Sequence, residues 1–236
     1  MWGSMLLVLL FSLGFTLPTD PDEGLVAYFN FDECDGRGAG GVAELFGSVE
    51  CRCGVVGQAL FFDGDDYLTF DGAINDYFTT SDFTLSFYLK PAGHQALPQA
   101  LFTKDADCAL DHMLALQYVS NGNELRTLLH ESANKAYRRL EFPLPTAGWL
   151  HYTLVREGGE ARTYLNGQLQ RQTRRCSGVD LSNAVPLRFG QSRCRTAPFK
   201  GRLDELRLYD RALNDSAVKA LYQRAPIENA EVDCMT

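Results

Sequence analysis

The chain has 236 residues, of which 22% are charged and 45% hydrophobic, and its formal net charge is −8. That composition excludes an intrinsically disordered chain, and the acidic balance disfavours phosphate backbones, so no nucleic-acid partner is expected. The length suits one all-β domain as well as two smaller ones, and either way it allows a core that does not depend on cross-links to fold.

The apolar run from Met5 to Leu17 is too short to cross a bilayer, which takes about 20 residues. It suits the core of a signal peptide over residues 1–17, although no Lys or Arg precedes it. The turn-rich stretch Pro18–Asp22 then reads as part of a linker over 18–23, followed by one domain over 24–224 and a tail over 225–236. No later segment is long and apolar enough to span a membrane, so the expected location is extracellular.

From residue 25 the pattern is strand, turn, strand. Leu25–Phe31 is β-rich, Ala59–Phe62 and Tyr67–Phe70 flank the turn Asp63–Asp66, and Phe83–Leu89 alternates with period two. Leu101–Thr103, Met113–Val119 and Leu125–His130 follow, with Asn121-Gly122 as a hairpin signal between the last two. Tyr137–Phe142, His151–Arg156, Ala161–Leu165, Gln168–Thr173, Leu187–Gly190 and Leu203–Tyr209 complete the set. Many short strands with regular turns indicate a sandwich or barrel. One helix is expected: Asn214 is a good N-cap, Asp215 favours the positive helix end, and Ala217, Val218, Leu221 and Tyr222 recur at helical spacing. Asn214-Asp215-Ser216 is also a glycosylation sequon, but a cap explains it more simply.

Seven cysteines in an exported chain favour disulfides over zinc, because Cys51-Arg52-Cys53 has the wrong spacing and the four histidines are scattered. Cys176 with Cys194 is one expected pair, since the two bracket a single predicted strand. A second joins Cys34 to Cys51 or Cys53. Cys234 is the expected odd thiol, available for an inter-chain disulfide.

Two segments carry a family resemblance. Gly148–Arg156 with Glu157-Gly158-Gly159 and Tyr164-Leu165-Asn166-Gly167 resembles the "W-hydrophobic-H…R-dGg…lYvNG" pattern of laminin-G-like domains. Phe199–Leu213 resembles that family's closing strand, "F-x-G-x-I-D-E-V-R-I-Y-x-R-A-L", and Gly24–Glu33 and Gly57–Gly64 add weaker support. The resemblance implies an all-β fold: a two-sheet antiparallel jelly-roll sandwich of the concanavalin A-like lectin type, with one short C-terminal helix. In the family pattern Trp149 opens a core strand, so it reads as packing. The loop Asp32–Gly38 is similar to the family's early "D-E-x-S-G-N-G" loop, which implies a structural Ca²⁺ held by Asp32, Asp35 and Asp204 with loop carbonyls.

Catalytic signatures are missing. No strand carries carboxylates at i, i+2 and i+4, as glycoside hydrolases of this architecture do. Asp204 and Glu205 are adjacent and are expected on opposite faces. No metalloprotease or nucleophile-elbow motif exists, and Gly36–Gly41 reads as a flexible loop rather than a dinucleotide site. The expected function is therefore binding without catalysis, with an extracellular glycan or a surface protein as partner. Candidate ligand contacts are Tyr77 and Phe78, taken as exposed loop aromatics, and Arg174 and Arg175. The two arginines belong to the basic stretch Arg171–Arg202, which suits anionic polysaccharide or simply faces water.

Overall fold

The computed structural model describes residues 22–106, 108–145 and 148–232. The expected signal peptide and Cys234 lie outside these residues. Strands β1 (Leu25–Phe29), β2 (Arg37–Gly38), β3 (Gly41–Phe46), β4 (Glu50–Cys53), β5 (Gln58–Asp63) and β6 (Tyr67–Asp71) come first. They are followed by β7 (Phe83–Pro91), β8 (Gln99–Lys104), β9 (Met113–Val119), β10 (Glu124–His130), β11 (Ala136–Tyr137) and β12 (Glu141–Pro143). The remaining strands are β13 (Leu150–Glu157), β14 (Glu160–Leu165), β15 (Gln168–Arg174), β16 (Arg188–Phe189) and β17 (Lys200–Tyr209). Helix α1 (Asp215–Arg224) comes after them. None of the described helices is long and apolar enough to cross a membrane.

The strands form two antiparallel sheets. The front sheet runs β15-β14-β13-β7-β17-β5-β4, with β1 also on β17; the back sheet runs β11-β10-β9-β8-β16-β6-β3-β2, with β12 on β10. Alternation decides which side chains meet between them. Leu85, Phe87 and Leu89 of β7, Leu203, Leu206 and Leu208 of β17, and Leu68 and Phe70 of β6 all enter one core. Rings bridge the sheets: Phe29 to Phe70 with centroids 5.2 Å apart, Phe62 to Phe189 at 4.9 Å and Phe87 to Phe102 at 4.8 Å. The jelly-roll sandwich expected from the sequence is the fold.

Three strands escaped the sequence reading. The glycine-rich stretch expected to be a flexible loop is instead the β2–β3 hairpin, tucked against β1. A Cβ on Gly38 would lie 2.4 Å from the Phe29 ring, and Gly40 turns the hairpin at φ +85°. The glycines are there for close approach. The third missed strand, β4, carries Cys51, which is disulfide-bonded to Cys34 with Cα atoms 5.7 Å apart. Tyr137–Phe142 is two strands rather than one, parted at Arg139, whose φ is +64°.

The outer face of the front sheet is covered by the C-terminal part of the chain. Asn214 caps α1 by accepting from the Ala217 N–H at 2.9 Å, and Val218 and Leu221 bury against Val155, Tyr164 and Tyr209. The segment expected to be a tail continues the cover: Ala225, Ile227 and Ala230 pack on Val55, Ala59, Tyr88 and Trp149. Trp149 thus packs on the outside of the front sheet rather than between the sheets. Its Nε1 donates to Glu231 Oε1 at 3.2 Å, an oxygen that also accepts from Lys90 and Arg202.

Candidate functional site

Two regions gather polar groups: a buried carboxylate cluster under the front-sheet cover, and the outer face of the back sheet.

The cluster arises where β17 changes partners. Residues Lys200–Leu203 pair with β5, and Leu206–Tyr209 pair with β1. Between them the strand bulges, and Glu205 takes a φ of +52°. The extra residue breaks the alternation, so Asp204 and Glu205 both turn away from the core instead of facing opposite ways. Each is buried. Glu205 Oε2 pairs with Arg207 at 2.5 Å, Oε1 accepts from the Tyr28 hydroxyl at 2.8 Å, and the Arg207 guanidinium lies 4.2 Å over the Tyr28 ring.

Asp204 has no cation beside it. Its Oδ2 accepts from Val55 N–H at 2.7 Å and Val56 N–H at 3.3 Å, while Oδ1 is buried without a partner. Asp32 approaches the same turn from the other side, accepting from Gln58 N–H at 3.0 Å. The turn is tight around oxygen: a Cβ on Gly54 would meet Asp204 Oδ2 at 2.5 Å and the Val56 and Gln58 carbonyls at 2.8 Å each. Asp35 stands apart. It caps its own turn through the Arg37 N–H at 2.9 Å and pairs with the Arg37 side chain. Among the described residues no three His, Cys, Asp or Glu side chains converge on one point. Of the expected set Asp32, Asp35 and Asp204, the fold brings Asp32 and Asp204 to this turn, while Asp35 pairs with Arg37.

Burial pushes the Asp204 carboxyl up to about 8, and the Glu205 carboxylate adds to the rise, against the pull of the Val55 and Val56 N–H groups. The folded state thus keeps a proton that the unfolded chain releases near 3.8. Stability that is full below the unfolded value is lost as pH climbs through the folded one. In buffer freed of divalent cations, the melting temperature of the protein falls between about pH 5 and about pH 8, and D204N flattens that slope. Thermal melts across this range check it; an unchanged slope in D204N contradicts it.

His151 lies in the same layer. Its Nε2 is 2.8 Å from Ser86 Oγ, and burial drives its pKa down to about 3. Both residues are 1% exposed and His151 Nδ1 has no partner, so this serine–histidine contact is sealed from any substrate.

The outer face of the back sheet is open in part: Glu44 is exposed and Phe46, Tyr67, Thr69 and Arg188 are partly exposed, while Thr103 and Ala115 are buried and Thr103 meets the Gln191 carbonyl. Core positions Ala43, Leu68, Phe70, Leu114, Leu116 and Phe189 point inward, so the residues between them point out. Register then builds one row across the sheet: Glu44, Thr69, Arg188, Thr103, Ala115 and Leu128. Arg188 stands between two threonines, and its Nε has no hydrogen-bond partner. Next to this row Phe46 sits opposite Tyr67 with ring centroids 4.5 Å apart and planes 3° from parallel, both rings partly exposed. On the other side Gly41, exposed Val42, Asp71 and Gly72 line a cleft of about 490 Å³.

The ligand contacts expected from sequence lie elsewhere and do not come together. Phe78 is fully buried, edge-on to Phe83 at 5.2 Å, so it is a core residue and not an exposed loop aromatic. Tyr77 is half-buried at the end of a 3₁₀ turn and packs on the same core. Arg174 pairs with Glu160 on the neighbouring strand, whereas Arg175 donates to the Ala136 carbonyl at 3.1 Å. The basic stretch disperses: Arg202 reaches Glu231 over the front sheet, and Arg188 belongs to the back sheet. The alternation in Tyr67-Leu68-Thr69-Phe70 was the sequence signal for the outer face, but nothing in it marked Phe46 as the facing partner. Cys176 is exposed and not bonded to Cys194, which instead contacts Cys108.

A sequence profile of the concanavalin A-like lectin/glucanases superfamily matches residues 62–219, more than half of the chain. No curated protein matches it in sequence. Domain 4 of AbnA, an extracellular GH43 arabinanase from Geobacillus stearothermophilus solved with arabinotriose, is similar at TM-score 0.66 and 22% identity, over 84% of this chain and 98% of that one. The binding domain of Paraclostridial Mosquitocidal Protein 1 is similar at TM-score 0.68 and 17% identity, covering 87% of this chain and 53% of its own. The binding domain of botulinum neurotoxin DC, in complex with SialylT, gives TM-score 0.64 at 12% identity, with 87% and 52% covered. The chain spans about half the length of those two toxin domains. At these identities the likeness is one of fold. Together with the profile match, the two-sheet jelly roll makes this chain a member of the concanavalin A-like lectin/glucanases superfamily.

Proposed function

We propose that the protein is a secreted, non-catalytic module that binds carbohydrate on the outer face of its back sheet. The observation that carries this reading is the partly exposed row Glu44–Thr69–Arg188 lying beside the stacked pair Phe46 and Tyr67. Sugars offer apolar C–H faces and hydroxyls; aromatic rings suit the first, and threonine, carboxylate and guanidinium suit the second. The fold neighbours support it: an arabinanase domain solved with arabinotriose and a toxin binding domain solved with SialylT. That same toxin domain is also solved with rat synaptotagmin II, so a surface protein is the alternative occupant. The buried carboxylates support binding over hydrolysis, because Asp204, Glu205 and the Ser86–His151 contact are all closed off from solvent. The Cys34–Cys51 disulfide fits an extracellular location.

A glycan array tests this directly. The intact protein is expected to give defined sugar hits, and Y67A and R188A are each expected to weaken them at least tenfold while melting normally. A blank array with intact protein, or hits unchanged in both variants, overturns the reading in favour of a protein partner.

The structural calcium implied by the family resemblance belongs to the same proposal, with Asp32 and Asp204 as ligands. Oxygen, the donor calcium takes, crowds this turn: the Asp204 carboxylate and the Val56 and Gln58 carbonyls surround Gly54, and Asp32 lies on the neighbouring Gln58 N–H. When bound, the ion would supply positive charge to a buried carboxylate that has none. Calorimetric titration is expected to show calcium binding that D204N abolishes and that raises the melting temperature. Absence of both heat and thermal shift ends the calcium proposal and leaves the sugar reading to the array.

A further inference from the structure

Two loops meet at one end of the back sheet. One follows β8 and includes residues 105–106 and 108–112; the other follows β16 over residues 190–199. The second is tied to β8 and its two ends on both sides of Cys194. Thr103 Oγ1 donates to the Gln191 carbonyl at 2.9 Å, and Ser192 Oγ donates to Asp105 Oδ2 at 2.6 Å while accepting from Cys194 N–H at 2.9 Å. Beyond Cys194, Ala197 N–H donates to the Pro98 carbonyl at 2.8 Å and Ala100 N–H to the Ala197 carbonyl at 2.9 Å. Cys108 reaches across this seam. Its Sγ is 3.6 Å from the Arg193 carbonyl, and its side chain hydrogen-bonds that of Cys194.

We propose that Cys108 and Cys194 form a second disulfide in the exported protein, fastening the β8–β9 loop to the β16–β17 connection. The chain around Cys194 is held by hydrogen bonds and the two thiol side chains are already in contact, the starting point a disulfide requires. Each thiol gives up its hydrogen and the two sulfurs join. A small-molecule disulfide such as oxidised glutathione takes the two electrons and two protons and leaves as two thiols. A metal is the rival use for two adjacent thiols, but the described residues hold no cluster of three ligating side chains. In the reduced protein, burial and the contacts with Cys108 and Asp105 push the Cys194 thiol up to about 12, so it is slow to react with outside reagents, whereas Cys108 is exposed. The bond would also hold the loops next to Thr103 and Arg188.

Non-reducing peptide mapping of the intact protein, refolded in a glutathione redox pair and alkylated before digestion, decides the matter. The expected result is a linked peptide containing Cys108 and Cys194 beside the Cys34–Cys51 pair. Both residues recovered as alkylated thiols, Cys194 linked to Cys176, or zinc bound with both thiols intact would overturn it. C108S is expected to leave Cys194 as a thiol and to lower the melting temperature by roughly 5–15 °C. Should C108S fail to fold, the map of the unaltered protein still gives the answer.

Discussion

Replacing Phe189 by alanine is expected to destabilise the protein by about 3–5 kcal/mol, the range for deleting a buried phenylalanine. Phe189 is one of only two residues in β16, yet it is fully buried and stands where the sheets meet. Its ring lies 4.9 Å from Phe62 of the front sheet, 4.9 Å from Phe102 beside it and 5.2 Å from Phe199 at the entry to β17. Three rings lose a neighbour at once, and the flanking strands β6 and β8 are pinned by their own ladders, so the space does not collapse. F189L, which keeps most of the volume, is expected to cost less than half as much. Urea unfolding measures both. A cost for F189A below about 1 kcal/mol would mean that the two sheets do not share this core.

Truncating Glu205 is the second large effect, and its origin is electrostatic. E205A leaves the largely buried Arg207 without its carboxylate partner, and breaking a buried ion pair from one side costs about 3–5 kcal/mol. The Tyr28 hydroxyl loses its acceptor in the same step. The double variant E205L/R207M removes both charges and is expected to recover most of the loss, since an apolar pair of similar volume is often as stable as the ion pair. Equal destabilisation in the single and double variants would show that packing rather than charge sets the cost.

Much of this architecture was readable in the residues themselves. Alternation in Phe83–Leu89 and Leu203–Tyr209 marks strands that bury one face, and Asn166-Gly167 supplies the two positive φ values, +50° and +74°, of the β14–β15 hairpin. Asn214 announces its helix by the bond it makes to Ala217. Failures came where tertiary contacts override local pattern. Gly36–Gly41 looks like loop because glycine weakens a strand, yet here it lets backbone lie against Phe29. Asp204 and Glu205 share a face only because β17 passes from β5 to β1 between them, a handover set by strands far away in the chain. Phe78 lies in a polar-looking stretch and is buried by its contact with Phe83.

The proposed binding face was hidden for a related reason. Phe46, Tyr67 and Arg188 are distant in sequence, and each reads alone as an ordinary outward strand residue. Only the order β8-β16-β6-β3 makes them neighbours. The cysteines teach the same lesson: bracketing one strand suggested Cys176 for Cys194, whereas the folded chain brings Cys108 to it.

The central claim is that ligand sits on the outer back sheet and nowhere else. Amide chemical-shift mapping with the oligosaccharide that the array selects tests it most directly. The account predicts shifts confined to Glu44–Phe46, Tyr67–Thr69 and Arg188 with their immediate neighbours. Shifts centred on α1, on the Asn166-Gly167 hairpin or around Tyr77 would contradict it.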